Sequence, residues 1–321
     1  MKKHYVQSQD SAAAATIQDI DVLRAQRSQK AWRIVRLVLT YTFLAIMAVI
    51  IVFPFYWMII SSFKTVDEYR ANVPTLFPQH IVFSNFAMVF DPSRETNLLN
   101  FFWHTLLVGV VSTVLSLIIT VLSAFAFARL KFRGRDAIFG LLMATMMVPG
   151  ELYTITNFLT VTGNLPFATE PIEALDITNT FIVLIVPMLV SVFYIYLLRQ
   201  TFRQIPNELY LAAKVDGTSD FKYLWKVMLP LSVSTVITIT ILKMMGSWNA
   251  YIWPRLVAND PAHQLITNGL RGASFIDEAT NETNFPAQMA AVTAVSFPLF
   301  MVFVFLRKYI IRGVARGGTK G

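Results

Sequence analysis

The segment PNELYLAAKVDGTSDFKYLWKVMLP, from Pro206 to Pro230, gathers the residue types and spacings in this chain that could do chemistry. That chemistry is docking rather than bond-making. Pro206 pre-sets φ and Asn207 can satisfy free N–H groups, so a helix can start here. Leu211 and Val215 fall at i and i+4 with Ala212 beside them, which makes a small apolar face that another backbone can approach closely. Gly217 can take the left-handed conformation that ends a short helix. Thr218, Ser219 or Asp220 can then cap a second helix over Phe221 to Met228, leading to Pro230. Two readings fit the pattern: a helix seated in a groove of a second protein, or an amphipathic helix lying on a lipid surface.

The other candidates are ionisable groups inside apolar runs, which are functional candidates by default in a membrane chain. Glu151 and Lys243 each lie well inside such a run. At 1.5 Å per residue, straight spans would carry both to a depth of about 21 Å. Equal depth and opposite charge suggest an ion pair or two groups facing one wet cavity. In the alternative, Lys243 snorkels and Glu151 caps a kink after Pro149 and Gly150. Trp248, Asn249 and Tyr251 follow Lys243, and their rings and amide suit either sugar hydroxyls and C–H faces or an ordinary helix interface. His4, His80, His104 and His263 are scattered and there is no cysteine, so no metal site is expected. GGTKG near the C-terminus lacks the spacing of a phosphate-binding loop, so no nucleotide site is expected in this chain.

The elements that must carry these residues are apolar. Of 321 residues, 55% are hydrophobic and 14% charged, and the mean hydropathy is +0.55. Soluble domains carry about 25% charged residues. The net charge of +8 could suggest nucleic acid, but its Lys and Arg sit in short clusters between apolar runs, as membrane topology arranges them. The expected fold is an all-α polytopic membrane protein. Six runs reach the length of a spanning helix: about 35–61, 102–127, 137–161, 179–198, 229–252 and 287–306, the fourth and sixth interrupted by Pro187 and Pro298. Residues 1–34 read as a polar tail, disordered in part or a surface helix, 35–306 as the membrane domain, and 307–321 as a C-terminal tail.

Charge gives the orientation. Twenty-one of the 27 Lys and Arg fall in the two tails and the second and fourth connections, against five in the other connections and Lys243 within a span. Basic residues accumulate on the cytoplasmic side, which puts both termini and the 206–230 segment in the cytoplasm. The long outward connections are docking loops or passive connectors.

In motif and order the chain resembles permease subunits of ATP-driven, binding-protein-dependent importers. Pro206, Glu208, Leu209, Ala212, Ala213, Asp216, Gly217, Phe221, Leu229 and Pro230 match the EAA coupling loop of that family. Leu211 stands where the family has glutamate, and Thr218 where it has alanine. PFYWMIISSFKT (54–65), AFAFARLKFRGRD (124–136), MMVPGE (146–151), GSWNAYIWP (246–254) and FLRKYIIRGVARGGTKG (305–321) resemble further signatures of the carbohydrate-importing, maltose-transporter branch, its smaller permease. Ala250 replaces an acid of that pattern and Arg307 a glutamine.

The resemblance implies a multi-pass protein of a prokaryotic cell membrane that imports a sugar or oligosaccharide and is not itself an enzyme. Its implied partners are a second permease, two cytoplasmic ATPase subunits (identical or not) and an extracytoplasmic solute-binding protein. ATP and Mg would be bound by the ATPase subunits, with no cofactor on this chain. Pro206, Glu208, Leu211, Ala212, Ala213, Asp216 and Gly217 would form the ATPase-coupling site. Glu151, Lys243, Trp248, Asn249 and Tyr251 are the candidates for the translocation path. An importer of another organic solute, or a stand-alone secondary transporter, is the alternative.

Overall fold

A computed structural model describes residues 2–92, 98–164, 176–273, 275–277 and 282–315. The chain divides into two contact units, residues 1–60 and 61–321. The first is nearly all of one helix, α1 (Lys2–Ser61), with Pro54 inside it. From Trp32 onward its side chains are largely apolar and exposed. A helix apolar all round needs lipid or other protein about it.

The second unit is a helical bundle. It opens with two short helices, α2 (Val66–Arg70) and α3 (Ser84–Val89). Thr65 caps α2 by accepting the Glu68 N–H at 3.2 Å. Glu68 in turn accepts the Thr75 hydroxyl at 2.6 Å and the Gln79 N–H at 2.9 Å. Partial burial opposes its charge, but these bonds outweigh it and hold the carboxyl below the usual range. Asn85 donates to the carbonyls of Ser62 and Lys64, both at 2.9 Å.

Next comes the central helix, α4 (Leu98–Arg129). Along one stripe it buries Thr105, Gly109, Ser112, Thr113, Ser116, Thr120 and Ala124. Small side chains let helices approach closely where apolar surroundings remove the hydrophobic drive to associate. A Cβ added at Gly109 would lie 3.0 Å from Met244 Sδ. Hydroxyls in such a stripe bond within their own helix, as Thr105 does to the Phe101 carbonyl at 2.8 Å.

Three bent pairs follow. α5 (Arg135–Thr145) and α6 (Gly150–Val161) turn through 92° between them. α7 (Phe181–Ile185), with a 3₁₀ turn over Val186–Met188, meets α8 (Val192–Gln204) at 43°. α9 (Asn207–Val215) stands apart as a short helix. α10 (Asp220–Tyr223), a π-helical turn (Leu224–Met228) and α11 (Leu229–Leu231) then bend 82° into α12 (Val233–Trp248). α13 (Ile252–Val257) and α14 (Ile266–Gly272) lead to a two-stranded antiparallel pair, β1 (Ile276–Asp277) and β2 (Glu282–Thr283), and to the long α15 (Phe285–Ala315). α4 packs against α8 and α12 and also against α7 and α14.

Among the described residues three helices, 32–61, 98–129 and 285–305, are long and apolar enough to cross a membrane singly, and the count rises to six if each bent pair is one span. The sequence anticipates single apolar runs over 137–161, 179–198 and 229–252, the second interrupted by Pro187, and the break of a bent helix pair falls in each. Pro149 and Pro187 fall at the first two breaks. Proline lacks an N–H and its ring clashes with the preceding turn, so the helix stops there. Pro298, by contrast, is carried inside α15.

Candidate functional site

α9 is organised as a helix with one held face and one free face. It begins after Pro206 in extended conformation (φ −55°, ψ 137°) and buries no residue fully. Gly217 ends it at φ +71°, which closes the turn with Thr218 N–H donating to the Ala213 carbonyl at 2.8 Å and Gly217 N–H to that of Lys214 at 3.1 Å. Only glycine adopts this φ without strain. Ser219 accepts the Lys222 N–H at 3.3 Å and so starts α10.

The held face runs through Tyr210 and Ala213, which pack on a cluster containing Phe125, Leu198, Phe202, Tyr223 and Met228. The Tyr210 hydroxyl donates to Asp220 Oδ1 at 2.6 Å, and Lys214 Nζ lies 2.8 Å from the same oxygen. Burial first, and then this bond to a carboxylate, push the Tyr210 phenol up to about 12. The free face carries Glu208, Leu211, Ala212 and Val215, all exposed, Val215 at 88%. Phe221 and Trp225, one turn apart in the next segment, are exposed too. A polar ring thus fixes the helix at its back while apolar side chains project from its front.

A second feature lies where two helix breaks meet. Thr145, Met146, Val148 and Tyr153 of the α5–α6 break and Ser191, Val192 and Phe193 of the α7–α8 break line an open cavity of about 530 Å³. Lys243, buried in α12, donates its ammonium to the Met188 carbonyl beside the second break. A break leaves carbonyls without their helical donors, and Lys243 supplies one.

The sequence matches the family described as "Binding-protein-dependent transport system inner membrane component" over residues 116–316, which is most of the chain. The chain belongs to that family. Among similar proteins of this class is the "arabinooligosaccharides transport system permease protein" of Halalkalibacterium halodurans, 28% identical over 86% of this chain and 94% of the relative. The fold of the present chain is similar to that of a chain of a bacterial ABC transporter "involved in the import of the acidic polysaccharide alginate", with a TM-score of 0.73, 22% identity and coverage of 85% of this chain and 95% of that one. A chain of a bacterial alginate ABC transporter "in complex with alginate pentasaccharide-bound periplasmic protein" aligns with a TM-score of 0.54 and 13% identity, over 86% of this chain and 92% of that one.

In this inner-membrane component the anticipated docking residues Pro206, Glu208, Leu211, Ala212, Ala213, Asp216 and Gly217 share one helix and its C-terminal turn. The five residues anticipated for a solute path are not brought together. Glu151 is exposed in the first turn of α6, and no ion pair joins it to Lys243 among the described residues. The depth count behind that pairing assumes straight spans, and the 92° turn just before Glu151 removes the assumption. Trp248 is core: it is 4% exposed and sits edge-to-face with Phe102 at 5.5 Å. Asn249 donates back to the Met245 carbonyl at 2.9 Å, closing the end of α12. Tyr251 instead lines a polar cleft of about 140 Å³ with Arg255, Asn268 and Arg271, whose guanidinium stands 4.7 Å over its ring.

Sequence reasoning did not single out Thr145, Tyr153 or Ser191. The available signal was the pair of prolines, since two broken helices that neighbour each other must leave a concavity.

Proposed function

We propose that the chain forms half of the translocation path of a binding-protein-dependent importer for a sugar or oligosaccharide, with α9 as the helix through which partner ATPases drive it. The observation that carries this reading is the free face of α9: Leu211, Ala212 and Val215 are exposed on a helix fixed from behind by Tyr210, Lys214 and Asp220. Exposed apolar side chains on a well-anchored helix are the helix-in-groove mode of recognition.

In this reading six spans place both termini and α9 in the cytoplasm, supported by the 21-to-5 division of Lys and Arg. Two ATPase subunits bind and hydrolyse ATP with Mg, a second permease completes the path, and a solute-binding protein delivers cargo from outside. Leu211 replaces a charge with a packing contact at the ATPase groove. The cavity between the α5–α6 and α7–α8 breaks is the segment of the path this chain contributes, and Lys243 steadies its wall. Glu151 sits beside that wall rather than in an ion pair. The relative that carries arabinooligosaccharides in its name supports the sugar class. Alternating access then requires two packings of the breaks, which the partners bias through the nucleotide cycle.

The deciding experiment is ATP hydrolysis by the complex of both permeases and the ATPases in proteoliposomes. Solute-loaded binding protein should stimulate it, and an oligosaccharide should accumulate with ATP consumption. Stimulation by a non-sugar solute alone would move the substrate class. Transport by the purified chain without partners would overturn the reading.

A further inference from the structure

Two arginines at the α9 end of the bundle each bond to the backbone of the helix that carries the other. Arg129, the last residue of α4, donates through Nη2 to the carbonyls of Phe202 at 2.8 Å and Ile205 at 2.5 Å, in the last turn of α8. Through Nη1 it donates to Asn207 Oδ1, the first residue of α9, at 3.2 Å. Arg199 of α8 donates in the opposite direction, from Nε to the Phe127 carbonyl in the last turn of α4 at 3.2 Å. Arg199 is 5% exposed, and its guanidinium lies 3.8 Å from the Phe139 ring centre and 3.6 Å from Asp136.

The last carbonyls of a helix have no donor of their own. Here two helices exchange arginines that bond to such carbonyls, the Phe202 carbonyl also accepting the Ile205 N–H at 3.3 Å. A guanidinium is planar with several fixed donors, so one side chain can hold three acceptors at once, which an ammonium on a flexible stem does poorly. The connection from α8 to α9 is only Ile205 and Pro206, and Pro206 offers no N–H. Without Arg129, the first turn of α9 would be joined to α8 by the two-residue link alone, its remaining anchors, the packing of Tyr210 and Ala213 and the bonds to Asp220, lying further along the helix.

We propose that Arg129 and Arg199 form a reciprocal clasp that makes α4, α8 and the front of α9 one rigid body. In this assignment they are positioning residues for coupling: a push on α9 moves the central helix and the second broken span together, instead of flexing the link. The inference rests on the reading of α9 as the ATPase-docking helix.

The test uses the complete transporter in proteoliposomes, scoring subunit co-purification, binding-protein-stimulated ATP hydrolysis and solute moved per ATP. Arg129→Gln and Arg129→Lys should assemble with their partners yet move about tenfold less solute per ATP, within the range by which residues along a coupling network act. Asn207→Leu removes the side-chain amide, and with it the Oδ1 acceptor for Arg129, and should lower the same ratio, while Asn207→Asp keeps an acceptor for Arg129 and should retain it. Equal solute per ATP in Arg129→Gln and the unmodified transporter would overturn the clasp. Should Arg129→Gln fail to assemble, Asn207→Leu decides: a ratio like that of Asn207→Asp overturns the proposal, and a lower one supports it. Absence of binding-protein stimulation in the unmodified transporter would instead overturn the docking reading of α9.

Discussion

Lys243 illustrates how a buried cation can be accounted for without an acid. Its ammonium meets the Met188 carbonyl at a helix break, where the backbone lacks its own donor. If that bond is its role, Glu151 does not matter to it. Lys243→Met should lower the thermal stability of the assembled permeases by leaving the carbonyl unsatisfied, an effect of about 1–3 kcal/mol. Glu151→Gln combined with it should add independently, within about 0.5 kcal/mol as for unconnected sites; a larger coupling energy would restore the ion pair. Tyr210 allows a sharper test. Its phenol, raised to about 12 by burial and by Asp220, favours the neutral form in the folded chain. Its stabilising contribution is therefore intact below the ordinary tyrosine value of about 10 and lost as pH climbs from there through 12. The ultraviolet difference titration between the unmodified chain and Tyr210→Phe should show a tyrosine ionising near the upper figure, and ionisation near 10 would refute the burial of the phenol together with its bond to Asp220.

At the scale of elements, the difference between expected and observed helices has one physical origin. Mean hydropathy records whether a run can sit in lipid, and all six runs do pass that criterion when each bent pair is taken together. It does not record direction. The 92° and 82° turns depend on where backbone bonds are surrendered and what replaces them, information spread over Pro149, Ser232 and their neighbours in other helices. α9 was legible because its signals are local: proline at one end, glycine at the other, and a face at i and i+4 between them. The clasp was not, because Arg129 and Arg199 are 70 residues apart in sequence and read only as two members of basic clusters. The packing of α4 was half legible, since its small residues are visible but their partners are not. Gly269 shows the difference: a Cβ there would fall 2.1 Å from the Phe101 ring of α4. Gly269→Ala should destabilise the bundle by about 1–3 kcal/mol, as overpacking does, measured by thermal denaturation in detergent. Gly272→Ala, where added carbon meets nothing within 4 Å, should leave the midpoint near that of the unmodified protein.

For the molecule as a whole, the large exposed apolar surface of α1, α4 and α15 fits a component of the inner membrane, and in the proposed reading its function is that of an assembly. If α9 docks the ATPases as proposed, its free face is where the assembly can be attacked without disturbing the bundle. Leu211→Glu and Val215→Asp alter side chains that touch little in the folded chain, so helix content and co-purification with the second permease should be unchanged. Leu211→Glu also places a glutamate where the family pattern has one, so the two substitutions should separate. Val215→Asp would put a charge into the proposed groove and should weaken ATPase-subunit retention about tenfold or more, since an unpaired buried charge is strongly unfavourable. Leu211→Glu should lose less, because it restores the residue type that the family pattern has at that position. Equal loss at the two positions would mean that the groove here is apolar throughout and has changed along with Leu211. No loss at either would place the ATPase contact on another surface, with Phe221 and Trp225 next to be tested.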